Sequence, residues 1–125
     1  MLACGLSDKG ALGKRARNYF EAGDLIALPN CALIETLAAL RKMWLRKSIS
    51  DEIFWRGMVA LQLLQFNEHQ TSPLLERAYE WRHNVGAYDA MYVALAEVLQ
   101  CPLITSDVRL ANAIGVRCET ELLAA

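Results

Sequence analysis

The stretch Tyr88-Asp89-Ala90-Met91-Tyr92-Val93-Ala94-Leu95-Ala96, followed shortly by Pro102-Leu103-Ile104-Thr105-Ser106-Asp107, decides how this chain reads. The first segment predicts a strong helix running from Tyr88 to Leu99. The second predicts a short strand, Leu103 to Thr105, led by Pro102, with Asp107 just beyond its carboxyl end. In sheets built from alternating helices and strands, chemistry collects at the carboxyl ends of the strands. A lone carboxylate at each of these two places is therefore where the search for a site begins.

Upstream the same alternation continues. Gly10 to Ala22 predicts a short helix with Leu12, Ala16, Tyr19 and Phe20 on its apolar side, ended by Gly23. Leu25-Ile26-Ala27-Leu28 is a short continuous apolar run of the buried-strand type, which Pro29-Asn30 is expected to stop. Asn30 can cap the helix that follows, in which Leu33, Leu37, Leu40 and Trp44 recur at helical spacing. Ser50 before Asp51 and Glu52 is a helix start, and the apolar positions Ile53, Phe54, Met58, Leu61 and Leu64 carry that helix to about Gln65. Phe66 to His69 suits a short strand. Ser72-Pro73 suits a cap with proline in the first turn of a helix reaching about His83, and Gly86 breaks the chain before the Tyr88 helix. After Asp107 a short helix, Val108 to Ala113, and a last strand near Val116 to Cys118 are expected. Short strands alternating with helices imply an α/β fold with a parallel sheet covered by helices.

Bulk properties agree with one domain spanning residues 1–125. The hydrophobic content of 54% is ample for a core and is spread along the chain. No run approaches ~18 apolar residues and no basic, apolar leader opens the sequence, so the expectation is a cytoplasmic protein without a membrane span. The net charge of −1 does not announce nucleic acid. Two basic groups do occur, Lys14, Arg15 and Arg17, and Arg41, Lys42, Arg46 and Lys47. Each could flank an RNA groove or simply solvate a helix face. The four cysteines, Cys4, Cys31, Cys101 and Cys118, lack metal-ligand spacing and read as buried reduced thiols.

Three carboxylates are poorly explained by solvation. Glu35 is the only charge between Asn30 and Arg41, Asp89 is the only one before Glu97 in its helix, and Asp107 ends a strand. Each has a plain alternative: a polar helix face for Glu35, a helix-dipole partner for Asp89, and a helix cap for Asp107. Taken together they suggest one acidic cluster, within roughly 10 Å, that a hard divalent cation would hold against mutual repulsion. The chemistry implied is hydrolysis of a phosphodiester.

The segments Tyr88 to Ala96 and Leu103 to Leu110 resemble, in order and separation, the last two motifs of PIN-domain ribonucleases of the VapC toxin type. Leu28-Pro29 followed by a helix with Glu35 in its second turn resembles an earlier motif of that family. The resemblance runs through nearly the whole chain from Gly10. It implies a PIN-like parallel sheet flanked by helices and an endoribonuclease toxin that hydrolyses RNA using Mg2+ or Mn2+. Glu35, Asp89 and Asp107 would be its catalytic metal ligands, with the Thr105 hydroxyl supporting them. It further implies a cognate VapB-type antitoxin, a structured RNA substrate such as transfer or ribosomal RNA, and a possible homodimer. Leu12, Tyr19, Phe20, Trp44 and Trp55 are candidate apolar contacts with such partners.

One part of the family pattern has no counterpart. The family opens with a central apolar strand ending in an acidic ligand, whereas Met1 to Leu6 resembles the tail of the helix that follows it. Asp8, in a turn-like stretch, is not expected to replace that ligand. The expectation is a sheet lacking its first central strand, with either a longer natural protein or a shortened, weakly active one. The rival reading is a catalytically impaired PIN-fold module that binds antitoxin or RNA without cleaving. A small-molecule enzyme on a doubly wound fold is disfavoured, because no Gly-rich phosphate loop is present.

Overall fold

The computed structural model describes residues 26–105, Asn112 and residues 120–122. Along the chain run β1 (Ala27–Pro29), α1 (Ala32–Leu45), α2 (Asp51–Leu63), β2 (Asn67–His69), a single 3₁₀ turn (Ser72–Leu74), α3 (Leu75–Glu80), α4 (Ala87–Leu99), β3 (Leu103–Thr105) and β4 (Thr120–Leu122). This is the α/β alternation expected: short parallel strands flanked by helices. The strands form two pairs, β1 with β2 and β3 with β4. The described residues divide into two compact units. Ile26 and Ala32–Asn67 belong to the first, and Ala27–Cys31, residues 68–105 and β4 to the second.

In the first unit, α1 and α2 form a helical hairpin. The Ser50 side chain accepts a hydrogen bond from the Ile53 amide at 3.2 Å, which is the predicted cap of α2. Trp44 Nε1 donates to Asp51 Oδ1 at 2.6 Å, and the Trp44 ring lies tilted on Phe54 with centroids 5.9 Å apart. These contacts tie the last turn of α1 to the first turn of α2. Lys47, at φ 62°, reverses the chain between them.

The buried residues of α1 are Ala32, Thr36 and Leu40. The expected stripe of Leu33, Leu37, Leu40 and Trp44 therefore holds only at Leu40, since Leu33 and Trp44 are more than a third exposed and Leu37 is half-buried. The reason is close approach. A Cβ built on Gly57 of α2 would stand 3.0 Å from Leu40 Cδ1, so the helices meet over small residues. Thr36 can be buried because its hydroxyl donates to the Ala32 carbonyl at 2.8 Å, leaving its methyl group for packing.

The second unit has its own core of Leu74, Trp81, Val85, Leu103 and the buried side of α4: Ala90, Met91, Val93, Ala94, Leu95 and Ala96. Burying a large apolar side chain such as Trp81 or Met91 stabilises by roughly 1.5–3 kcal/mol. Helix α4 packs on α3, β1 and β3, so it is the central element of this unit. It ends in a left-handed residue, Gln100, and the Cys101 amide donates to the Ala96 carbonyl at 3.1 Å, the wrap that closes a helix on its last carbonyls.

The strand pair β3–β4 is parallel, with Leu103 opposite Thr120 and Thr105 opposite Leu122. Thr120–Leu122 lies two residues beyond the strand predicted near Val116 to Cys118, which, like the helix expected at Val108 to Ala113, falls outside the described residues. Strand β1 is displaced by a similar amount and contains Pro29 rather than stopping before it. Asn67 N donates to the Ile26 carbonyl at 2.8 Å and Asn30 N to the His69 carbonyl at 2.7 Å, the stagger of a parallel pair. The even-numbered residues 26 and 30 thus face β2, and the missing N–H of Pro29 points the other way, where it costs that ladder nothing.

The region around α3 is shorter than predicted. Thr71, not Ser72, occupies the cap position and makes no side-chain cap bond, and α3 ends at Glu80 rather than near His83. The chain then turns because Trp81 and Val85 are both buried and the Trp81 carbonyl accepts from the Asn84 and Val85 amides. Cys31 and Cys101 are free thiols, half-buried rather than buried, while Cys4 and Cys118 are outside the described residues. Among the described residues no helix is long and apolar enough to cross a membrane.

Candidate active site

Asp89 stands in the first turn of α4, after a cap residue, Gly86, that offers the helix no side-chain hydrogen bond. The amide end of a helix carries partial positive charge, which favours an ionised carboxylate there. Asp89 is exposed, whereas Ala90, Met91 and Val93 to Ala96 behind it are buried. The core side of the helix fixes the backbone and leaves this carboxylate facing solvent. Of the two tyrosines flanking Asp89, Tyr92 packs against the core, whereas Tyr88 is 63% exposed because it precedes the buried stretch of the helix.

Thr105 closes β3 and is buried, at 5% exposure. Asp107 lies outside the described residues. Glu35 belongs to the first unit. It falls in the first turn of α1 rather than the second, because the helix begins at Ala32. The residue is half-buried and its Oε2 atom is buried. Among the described residues no three His, Cys, Asp or Glu side chains gather to hold a metal, and of the three predicted carboxylates those residues include Glu35 and Asp89 only. Carboxylates are hard oxygen donors, of the kind that suits magnesium or manganese rather than zinc.

Two arginines beside α4 were not singled out from the sequence. Arg77 stacks over Trp81, 4.1 Å from the ring centroid, and binds Glu97 through two nitrogens and Glu80 through a third. The hydrogen bonding it donates to the Glu97 carboxylate is the main cause holding the Arg77 guanidinium above its ordinary pKa, against the opposing effect of burial. Arg82 stacks over Tyr79 at 4.2 Å. The signal in the sequence was the spacing: Arg77 with Trp81 and Tyr79 with Arg82 are four and three residues apart, the separations at which a cation and a ring meet across one turn of chain.

The chain matches the PIN domain over residues 6–115, a span that contains Glu35, Asp89, Thr105 and Asp107. It is 46% identical over 86 residues to ribonuclease VapC1 of Mycobacterium tuberculosis, covering 68% of this chain and 65% of that relative. The chain belongs to the PIN-domain family, in its VapC-type branch. From the same organism, ribonuclease VapC12 is 36% identical over 102 residues, 82% of this chain and 79% of the relative. Ribonuclease VapC9 is 33% identical over 97 residues, 78% and 76% respectively. The chain thus spans a little under two thirds of VapC1 and more of the other two. Within this PIN domain, α4 is the helix that carries Asp89 and β3 the strand that ends in Thr105.

Proposed function

We propose that the chain is a single PIN-like domain, residues 1–125, acting as a metal-dependent endoribonuclease of the toxin-antitoxin type that hydrolyses RNA phosphodiester bonds. The observation that carries the reading is Asp89. It is an exposed carboxylate in the first turn of a helix whose residues Ala90, Met91 and Val93 to Ala96 are buried in the core. It stands in a chain 46% identical to a protein named as a ribonuclease.

In this reading Glu35, Asp89 and Asp107 hold Mg2+ or Mn2+. Bound there, the ion would polarise a phosphate and lower the pKa of a water. The residues themselves supply the charge and the order. Asp89 stands at the amide end of α4, where the helix dipole favours negative charge. Glu35 contributes a carboxylate held by the first turn of α1. The Thr105 hydroxyl, fixed by burial at the end of β3, orients the neighbouring acid by hydrogen bonding. The substrate is a structured RNA, and the site of action is the cytoplasm.

The regulatory partner is a VapB-type antitoxin, with a second copy of the chain as a further partner. Support comes from the first unit, where the large apolar side chains Ile34, Leu45, Trp55 and Leu63 are 62%, 54%, 63% and 75% exposed and open to a partner. The same surface would serve a PIN module that binds antitoxin or RNA but cleaves poorly, and one assay separates the two. The chain and its Asp89→Asn variant are incubated with structured RNA and Mg2+ or Mn2+, with EDTA as control. Cleavage that EDTA stops and Asp89→Asn abolishes is expected, since Asn keeps the shape but loses the charge. RNA binding without cleavage by the unchanged chain would overturn the enzyme reading in favour of the binding module.

A further inference from the structure

The two arginine-aromatic stacks beside α4 have the same chemistry and opposite surroundings. Arg77 is three-quarters shielded, lies on the buried Trp81 and is neutralised by Glu97 and Glu80. Arg82 is exposed, lies on Tyr79, itself 65% exposed, and makes no ion pair with any described carboxylate. Among the described residues its hydrogen bond is from Nη1 to the Tyr79 carbonyl at 3.1 Å. That bond and the ring fix the plane of the guanidinium while leaving its outer face and most of its donors to solvent. The turn beneath is anchored by Trp81 and Val85, at 2% and 8% exposure, so the stack stands on a rigid base. The turn leads through Gly86 directly into the first turn of α4, where Asp89 stands.

From this we infer that Arg82, stacked on Tyr79, is a binding platform for an unpaired segment of the structured RNA, on the turn that leads to Asp89, its guanidinium taking a phosphate and its open face a base. The inference rests on the ribonuclease reading and adds the contact that orients the strand. At an exposed site such a stack stabilises the fold only slightly, and a flexible lysine would cap the Tyr79 carbonyl equally well. A flat, fixed guanidinium is what phosphate and base recognition requires. The neutralised Arg77 stack marks the contrast: where the same motif is structural, acids close it off.

The test is fluorescence anisotropy of a short fluorescein-labelled single-stranded RNA, titrated with the full chain in EDTA so that binding is read without cleavage. Arg82→Ala should weaken binding roughly tenfold and reduce the slope of log affinity against log salt by about 0.7, the loss of one phosphate contact on a single strand. Arg82→Lys should keep the slope and lose part of the affinity. Tyr79→Ala should weaken binding severalfold with the slope retained. Thermal midpoints of all variants should match the parent. An Arg82→Ala chain with parental affinity and slope would overturn the inference while leaving the nuclease reading intact. So would an affinity loss with an unchanged slope, which marks a structural role. Absence of RNA binding by the unchanged chain, together with absence of cleavage, would overturn both.

Discussion

Arg77 of α3 grips Glu97 of α4 with two parallel bonds, Nε to Oε2 at 2.8 Å and Nη2 to Oε1 at 3.0 Å. Twenty residues apart in the chain, they clamp the helix that carries Asp89 against its neighbour. The pair is substantially shielded, with side-chain exposures of 24% and 14%, so its attraction is screened less than at an open surface. Removing the cation leaves the Glu97 carboxylate poorly solvated and strips the Trp81 ring of its cover. Arg77→Ala should lower stability by about 2–3 kcal/mol, and Glu97→Gln by about half of that. Urea unfolding followed by circular dichroism measures both, and an Arg77→Ala midpoint equal to the parent's would show that the clamp contributes nothing.

Gly57 sits where α2 crosses the fully buried Leu40. Alanine there would gain about 1 kcal/mol of helix propensity and spend a similar amount pressing its Cβ on Leu40. Gly57→Ala should therefore fall within about 1 kcal/mol of the parent, whereas Gly57→Leu should cost about 2–3 kcal/mol by forcing the hairpin apart. Thermal unfolding of the two variants gives the comparison. A Gly57→Leu protein as stable as the parent would mean the two helices separate freely.

Gln100 ends α4 in a left-handed conformation, φ 53° and ψ 44°, that glycine adopts at no steric cost. Gln100→Gly should stabilise the protein by about 0.5–1 kcal/mol. Differential scanning calorimetry would register this as a rise in Tm of a few degrees. A fall in Tm would indicate that the Gln100 side chain contributes more than its backbone strain costs.

Trp55 lies on α2 with 63% of its surface exposed. Replacing it with Ser should change folding stability by no more than about 0.5 kcal/mol. If this face receives an antitoxin segment or a second copy, the same change should weaken that association by about 2 kcal/mol or more. Sedimentation and a pull-down with the cognate antitoxin read the two partners separately. Parental behaviour in both would remove Trp55 from the interface. Leu12, Tyr19 and Phe20, predicted to share it, lie outside the described residues.

Much of this PIN domain follows from the chain alone. The alternation of short strands and helices, the Ser50 cap, the Gly86 break and the position of Asp89 in a first turn are all local, set by propensity and capping within a few residues. So is the strand that ends in Thr105. Tertiary packing decided which side chains are hidden. Periodicity marked Leu33 and Trp44 as core, but a helix pair that closes over Gly57 hides Ala32, Thr36 and Leu40 instead, because close approach selects small residues and a self-bonded hydroxyl. Packing also gave two arginine-aromatic pairs, four and three residues apart, opposite fates. Arg77 meets a carboxylate from another helix and becomes a clamp, while Arg82 meets none among the described residues and stays open to solvent. Spacing along the chain determines that a cation and a ring can stack, but whether an acid reaches them depends on long-range contacts that no local pattern encodes.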